Sequence, residues 1–112
     1  MKKLEIIIKP EKLEDLKGIL DSNHVSGVMI TNIMGYGNQK GYRQFYRGSQ
    51  YSVNLLPKIK VETVVDEAVA TELVNMVVDK IQTGNYGDGK IFVYDVEDTV
   101  RIRTGEHGTE AL

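Results

Sequence analysis

Two helical stretches, each set between two stretches of alternating apolar residues, constrain what this chain can fold into. Leu4, Ile6 and Ile8 recur with period two. That places them on one face of a strand over residues 3–9 and leaves Glu5, Ile7 and Lys9 on the other. Pro10 ends the strand and can open a helix. Leu13, Leu16, Ile19 and Leu20 then share one side of a helix over residues 11–22, with Asn23 or Gly27 at its exit. The β-branched and apolar run VMITNIM, residues 28–34, reads as a second strand. Further on, Pro57 and Lys58 lead into KIKVETVV, a third strand with Ile59 and Val61 on one face and Lys58, Lys60 and Glu62 on the other. Asp66 is the predicted N-cap of a helix over residues 67–81, whose inner stripe is Val69, Leu73, Met76 and Val77. KIFVYDV, residues 90–96, is the fourth strand. The order β-α-β-loop-β-α-β predicts an α+β, ferredoxin-like chain: a four-stranded antiparallel sheet with both helices on one face. Ile7, Val64, Phe92 and Tyr94 are the candidates to line the other face. An open sheet face carrying apolar residues points to oligomerisation.

Between the halves, residues 35–55 sustain neither period and hold four glycines and four tyrosines. An aperiodic segment of this length in a compact domain is usually functional or disordered. The rest of the composition narrows the chemistry. At 112 residues the chain suggests one domain. A formal net charge of −2 argues against nucleic-acid binding by bulk electrostatics. The absence of cysteine removes disulfides, thiolate metal sites and cysteine nucleophiles. His24 and His107 are far apart in sequence and are expected to face solvent, so a histidine metal site is disfavoured. No signal peptide or membrane-spanning run is visible, which is compatible with a cytoplasmic protein.

The stretch TGNYGDGKIF, residues 83–92, fits the start of a phosphate-binding P-loop, G-x-x-x-x-G-K, through Gly84, Gly89 and Lys90. The context contradicts that reading. A P-loop follows a strand and opens a helix whose N-terminal amides meet the phosphates; here a helix precedes and a strand follows. Ile91 also stands where a magnesium-ligating hydroxyl is needed. Phosphate can still be held by consecutive amides of a glycine-rich turn, with Gly87 and Gly89 allowing close approach and Lys90 adding a charge. In an extended segment Arg101 and Arg103 would face the same way and form a guanidinium fork. A plain helix-to-strand turn with a solvated lysine remains the competing interpretation.

Four motifs then occur in order: GYGNQKG at 35–41, YRGSQY at 46–51, TGNYGDGKIFVYDV at 83–96 and RIRTGE at 101–106. Together they resemble the T-loop start, T-loop tip, B-loop and C-loop of the PII nitrogen-regulatory signalling proteins, and the likeness covers essentially the whole chain. The resemblance implies a single PII-type domain over residues 1–112, with the T-loop at about 36–55, the B-loop at 82–90 and the C-loop and tail at 97–112. It implies a ferredoxin-like homotrimer that binds ATP or ADP competitively in clefts between subunits. Such a protein binds 2-oxoglutarate beside MgATP and uses its T-loop to regulate a partner. The partner would be an ammonium transporter, another membrane transporter, or a nitrogen-metabolism enzyme or regulator. The chain would be cytoplasmic, recruited to the membrane only by a transporter, and would itself be no enzyme.

By the same resemblance, Gly87, Asp88, Gly89 and Lys90 would wrap the phosphates, and Arg101 and Arg103 would reach them from the neighbouring subunit. Glu62 would meet the ribose and the backbone near Val64 the adenine. Ile7, Gly35, Gly37 and Asn38 would complete the nucleotide site. Gln39 would ligate Mg²⁺ through its amide oxygen, a plausible hard ligand, and Lys58 would pair with a carboxylate of 2-oxoglutarate. Tyr51 matches the tyrosine that some members have modified with UMP or AMP; a docking contact is the other reading of that residue. Departures from the pattern fall at Asn38, where many members have arginine; at Met29, where many have threonine; at Tyr86; and at Gln50. The departures at Asn38 and Tyr86 leave open a second reading, an energy-state sensor that answers to ATP and ADP without 2-oxoglutarate. A more distant alternative is a small nucleotide hydrolase, for which Asp88 is the only carboxylate in the turn.

Overall fold

The computed structural model of the chain describes residues 1–36, 43–46, 49–52 and 55–112, with backbone alone at 43–46 and 49–52. Along the chain run β1 (Lys2–Ile8), α1 (Leu13–Ser22), β2 (Met29–Tyr36), β3 (Arg43–Tyr46), β4 (Ser49–Ser52), β5 (Leu55–Val65), α2 (Glu67–Ile81) and β6 (Lys90–Asp95). Four strands form one antiparallel sheet in the order β2-β5-β1-β6. Two βαβ halves meet through β1 and β5, the long central pair. This is the ferredoxin-like arrangement that the alternating periods imply.

The period-two face of β1 enters the core as expected: Leu4, Ile6 and Ile8 are buried and pack with Val61, Leu16 and Leu73. The same face of β5 continues through Thr63 and Val65. Thr63 is a buried polar residue whose hydroxyl donates to the Gly27 carbonyl at 2.6 Å, which satisfies it and ties the end of the α1–β2 connection to β5. Helix α1 buries Leu16, Ile19 and Leu20, with Leu13 packed at the margin. It ends in a Schellman motif: the His24 amide donates to the Asp21 carbonyl and the Val25 amide to the Leu20 carbonyl. Asn23 is the C-cap, one of the two expected exits, and the left-handed residue is His24 after it, at φ 58°.

Three expectations need correction, and the predicted N-cap holds in position without a side-chain bond. The inner stripe of α2 is Ala70, Leu73, Val77 and Ile81, with Val69 at its edge. Met76 is 37% exposed and meets the Asn23 amide at the side of the helix pair. It sits one residue, about 100°, from the Val77 direction, so helical spacing alone placed it too near the core. Asp66 occupies the N-cap but its side chain makes no capping bond; its carbonyl accepts the Ala70 amide. The central segment contains structure: β3 and β4 pair as a short antiparallel ribbon, Arg43↔Ser52 to Tyr46↔Ser49. Its flanks also belong to the sheet, because β2 runs on to Tyr36 and β5 begins at Leu55. Pro57 is tolerated inside β5 because it pairs only with Met34 of β2, while the β1 ladder starts at Ile59↔Ile8.

The sheet face away from the helices carries Phe92 and Tyr94, 45% and 46% exposed, with Ile7 and Val64 half-buried among charged neighbours. Lys3 pairs with Glu62 at 2.8 Å and stands over the Tyr94 ring; Tyr94 donates to Glu5 at 2.7 Å. Lys60 lies 3.7 Å from both Glu5 and Glu62.

The register of α2 is testable. Leu73→Ala should cost about 2–5 kcal/mol in urea denaturation. Met76→Ala should cost under about 1 kcal/mol, as for a surface position.

Candidate functional site: the glycine turn between helix α2 and strand β6

Beyond Ile81 the chain leaves the helix, turns through residues 82–89 and enters β6 at Lys90. Gly84, Gly87 and Gly89 have φ of 83°, 89° and 113°. At Gly89 space is as restrictive as conformation: a Cβ there would stand 1.7 Å from the Ile7 carbonyl oxygen. Only glycine lets the turn lie against the end of β1.

The Asp88 carboxylate closes the turn from inside. One oxygen accepts the amides of Thr83 and Gly84 at 2.7 and 3.0 Å, and the other accepts the Thr83 hydroxyl at 2.6 Å. Lys9, just past β1, approaches at 3.5 Å. The Thr83 hydroxyl and amide, then the Gly84 amide, hold the Asp88 carboxyl down at about 2 against an ordinary 3.8. A second lysine fixes the outer side of the turn: Lys58 of β5 donates to the Gly87 carbonyl at 2.7 Å. Burial, and next the neighbouring Lys9, lower the Lys58 ammonium from the usual lysine range. Among the described residues, the amides of Gly87, Asp88 and Gly89 donate to no side chain or loop carbonyl. These consecutive N–H groups, beside Lys90, are what an anion-binding nest offers.

The structure brings together Ile7, Gly35, Lys58 and Gly87 to Lys90 at one end of the sheet. Glu62 and Val64 lie farther along β5; at about 3.3 Å per residue, Glu62 is about 13 Å from Lys58. Glu62 is held by Lys3 and Lys60, and the Lys3 hydrogen bond is the main cause of its lowered pKa. Arg101 and Arg103 do not lie on an extended segment. Residues 102–104 form a turn, with the Arg101 amide donating to the Glu106 carbonyl and Val100 bridging to His107. The period-two argument for a guanidinium fork therefore fails. Arg101 instead pairs with Glu106 at 2.8 Å and donates to the Glu110 and Leu112 carbonyls, whereas Arg103 is exposed. Neither arginine bonds the glycine turn of its own chain among the described residues. Gly37, Asn38 and Gln39 lie outside the described residues, as does the Tyr51 side chain. His24 and His107 are both exposed, and the described residues contain no cluster of three metal-ligating side chains.

Sequence reasoning missed Lys9, Thr83 and the structural use of Asp88. A threonine five residues before an aspartate, across glycines, is the pattern of a side-chain-closed turn and could have exposed it.

The family model described as nitrogen regulatory protein P-II matches residues 1–106. Relatives named nitrogen regulatory protein P-II in Haemophilus influenzae and in Rhodospirillum rubrum are each 46% identical over 112 residues, covering both chains completely. Nitrogen regulatory protein P-II 1 of Escherichia coli is 45% identical over the same full length.

Two outcomes follow from the turn's construction. Gly89→Ala should destabilise the protein by about 2 kcal/mol or more, since the Ile7 carbonyl must move. Gly84→Ala meets nothing within 4 Å and bears only the left-handed strain, about 1–2 kcal/mol; thermal denaturation separates the two. The Asp88 contribution depends on pH. Its carboxyl is more acidic in the folded chain, so its stabilisation is complete above about pH 4 and is lost as pH falls through about 2. The amide shifts of Thr83 and Gly84, followed by NMR, should titrate in that window in the wild type and not in Asp88→Asn.

Proposed function

The chain belongs to the family of nitrogen regulatory proteins P-II, and on that premise we propose that it is a non-enzymatic sensor reading ATP and ADP through the glycine turn. The observation that carries the proposal is the left-handed turn itself: Gly87 and Gly89 at φ 89° and 113°, closed from inside by Asp88 and seated beside Lys90 by Lys58 and the end of β1. A rigid turn of this kind suits phosphate oxygens, because no ordering is required on binding. Two copies would contribute to each site. Glu62, Val64, Arg101 and Arg103 stand apart from the turn in their own chain, yet the resemblance assigns them to the same nucleotide. An open sheet face with Phe92 and Tyr94 exposed supports association into the trimer that the resemblance implies.

Lys58 would pair with a carboxylate of 2-oxoglutarate bound together with MgATP. Gln39 would hold the Mg²⁺, which would supply Lewis-acid neutralisation of negative charge there. The conformation of the segment between β2 and β5 would then set affinity for a nitrogen-metabolism partner such as an ammonium transporter or an enzyme. Tyr51 would be a modification or docking residue on that segment. The commitment of Lys58 to the Gly87 carbonyl favours keeping a second reading, in which nucleotide alone is the signal. Hydrolysis is disfavoured on chemical grounds: a carboxyl held at about 2 and already accepting three hydrogen bonds is a poor general base near neutral pH.

Calorimetry tests the reading. ATP and ADP should each bind below about 1 mM and compete, and Lys90→Gln should weaken both by about tenfold, the loss of one charge-assisted contact. Absence of nucleotide binding would overturn the proposal. If 2-oxoglutarate leaves the affinity for MgATP unchanged, the nucleotide-only sensor is correct.

A further inference from the structure

Gly35 has no conformational reason to be glycine. It lies inside β2, paired with Leu56, and it is outside the left-handed region that the glycines of the turn and tail occupy. Its neighbours supply the reason. A Cβ at position 35 would stand 3.0 Å from Cγ of Lys58 and 3.7 Å from its Cε. The methylenes of Lys58 therefore cross the spot where a side chain at 35 would sit, on the sheet face away from the helices. Beyond that crossing, the Lys58 ammonium reaches the Gly87 carbonyl at 2.7 Å. Three elements are thus in series: the end of β2, the start of β5 and the glycine turn.

We propose that Gly35 is a positioning residue for the glycine turn, acting through Lys58: the missing side chain at 35 leaves the lysine the path it needs to hold Gly87. The turn is fixed from inside by Asp88 and against β1 by Gly89, while Lys58 is its link to β5. A side chain at 35 would push the lysine methylenes aside and lengthen or break that link. The effect grows with bulk. Alanine requires the lysine chain to shift by a few tenths of an ångström, whereas valine, favoured in strands, fills the path. The coupling is reciprocal: whatever draws Lys58 away from Gly87 also alters packing at Gly35, next to the segment that begins at residue 37.

The test is a double-mutant cycle with two readouts. Gly35→Ala, Gly35→Val and Lys58→Met are compared singly and combined, each checked for a cooperative thermal transition. The first readout is hydrogen exchange of the Thr83 and Gly84 amides in the nucleotide-free protein. The second is ATP affinity, and only this one rests on the phosphate reading of the turn. Exchange should accelerate from glycine to alanine to valine, reaching about tenfold, the lower end for losing a hydrogen bond from a charged donor. ATP binding should weaken in the same order, and neither substitution at 35 should add to Lys58→Met. Wild-type exchange in a folded Gly35→Val protein, or full additivity with Lys58→Met, would overturn the inference. If Gly35→Val does not fold, Gly35→Ala decides by the same additivity criterion. If the wild type binds no ATP, the exchange readout still decides the role of Gly35, and only the nucleotide proposal falls.

Discussion

The carbonyl oxygen of Ile7 lies where the side chain of any other residue at position 89 would be. That contact sets how the chain can return from α2 to the sheet. It brings the turn down onto the end of β1, so that Lys90 enters β6 in register with Ile7 and Phe92 falls opposite Glu5. Once the turn is seated there, the Asp88 carboxylate can gather the Thr83 and Gly84 amides, and Lys58 can reach Gly87. These inward hydrogen bonds use the Thr83 and Gly84 amides and the Thr83 hydroxyl. The anion-binding role proposed for the turn would thus rest on a packing constraint between backbone atoms.

Most of the fold was legible because the core is built from clean periods. Leu4, Ile6 and Ile8 alternate without interruption, and Leu16, Ile19 and Leu20 repeat at helical spacing; each set is buried as a unit. The misjudgements occurred where period underdetermines direction. Met76 and Ala70 compete for the inner face of α2, and the larger apolar residue attracted the assignment although the smaller one faces the sheet. The ribbon of β3 and β4 was missed because four-residue strands among glycines and tyrosines present neither a sustained alternation nor a distinctive turn pair.

The site was legible in part, and the division is physical. Glycines, lysines and their order mark a candidate anion-binding turn, and the family resemblance implies the ligands it would hold. Sequence spacing does not reveal which polar side chains are consumed internally. Asp88 is spent on its own loop, Arg101 on Glu106 and the end of the tail, and Glu62 on two lysines of the sheet. The period-two argument for Arg101 and Arg103 assumed extended backbone, and the turn at 102–104 removes that assumption. Lys9 carries no motif of its own; only the approach of β1 to the turn brings it to Asp88.

The turn is proposed to be already shaped to hold phosphate through the amides of residues 87–89. Amide chemical shifts of the uniformly ¹⁵N-labelled protein, followed during titration with ATP, address this proposal directly. Large shifts are expected at Gly87, Asp88, Gly89 and Lys90, with the Thr83 and Gly84 amides remaining bonded to Asp88. Saturating ATP that leaves residues 87–90 unmoved, or that binds while the Asp88 bonds to Thr83 and Gly84 open, would contradict it.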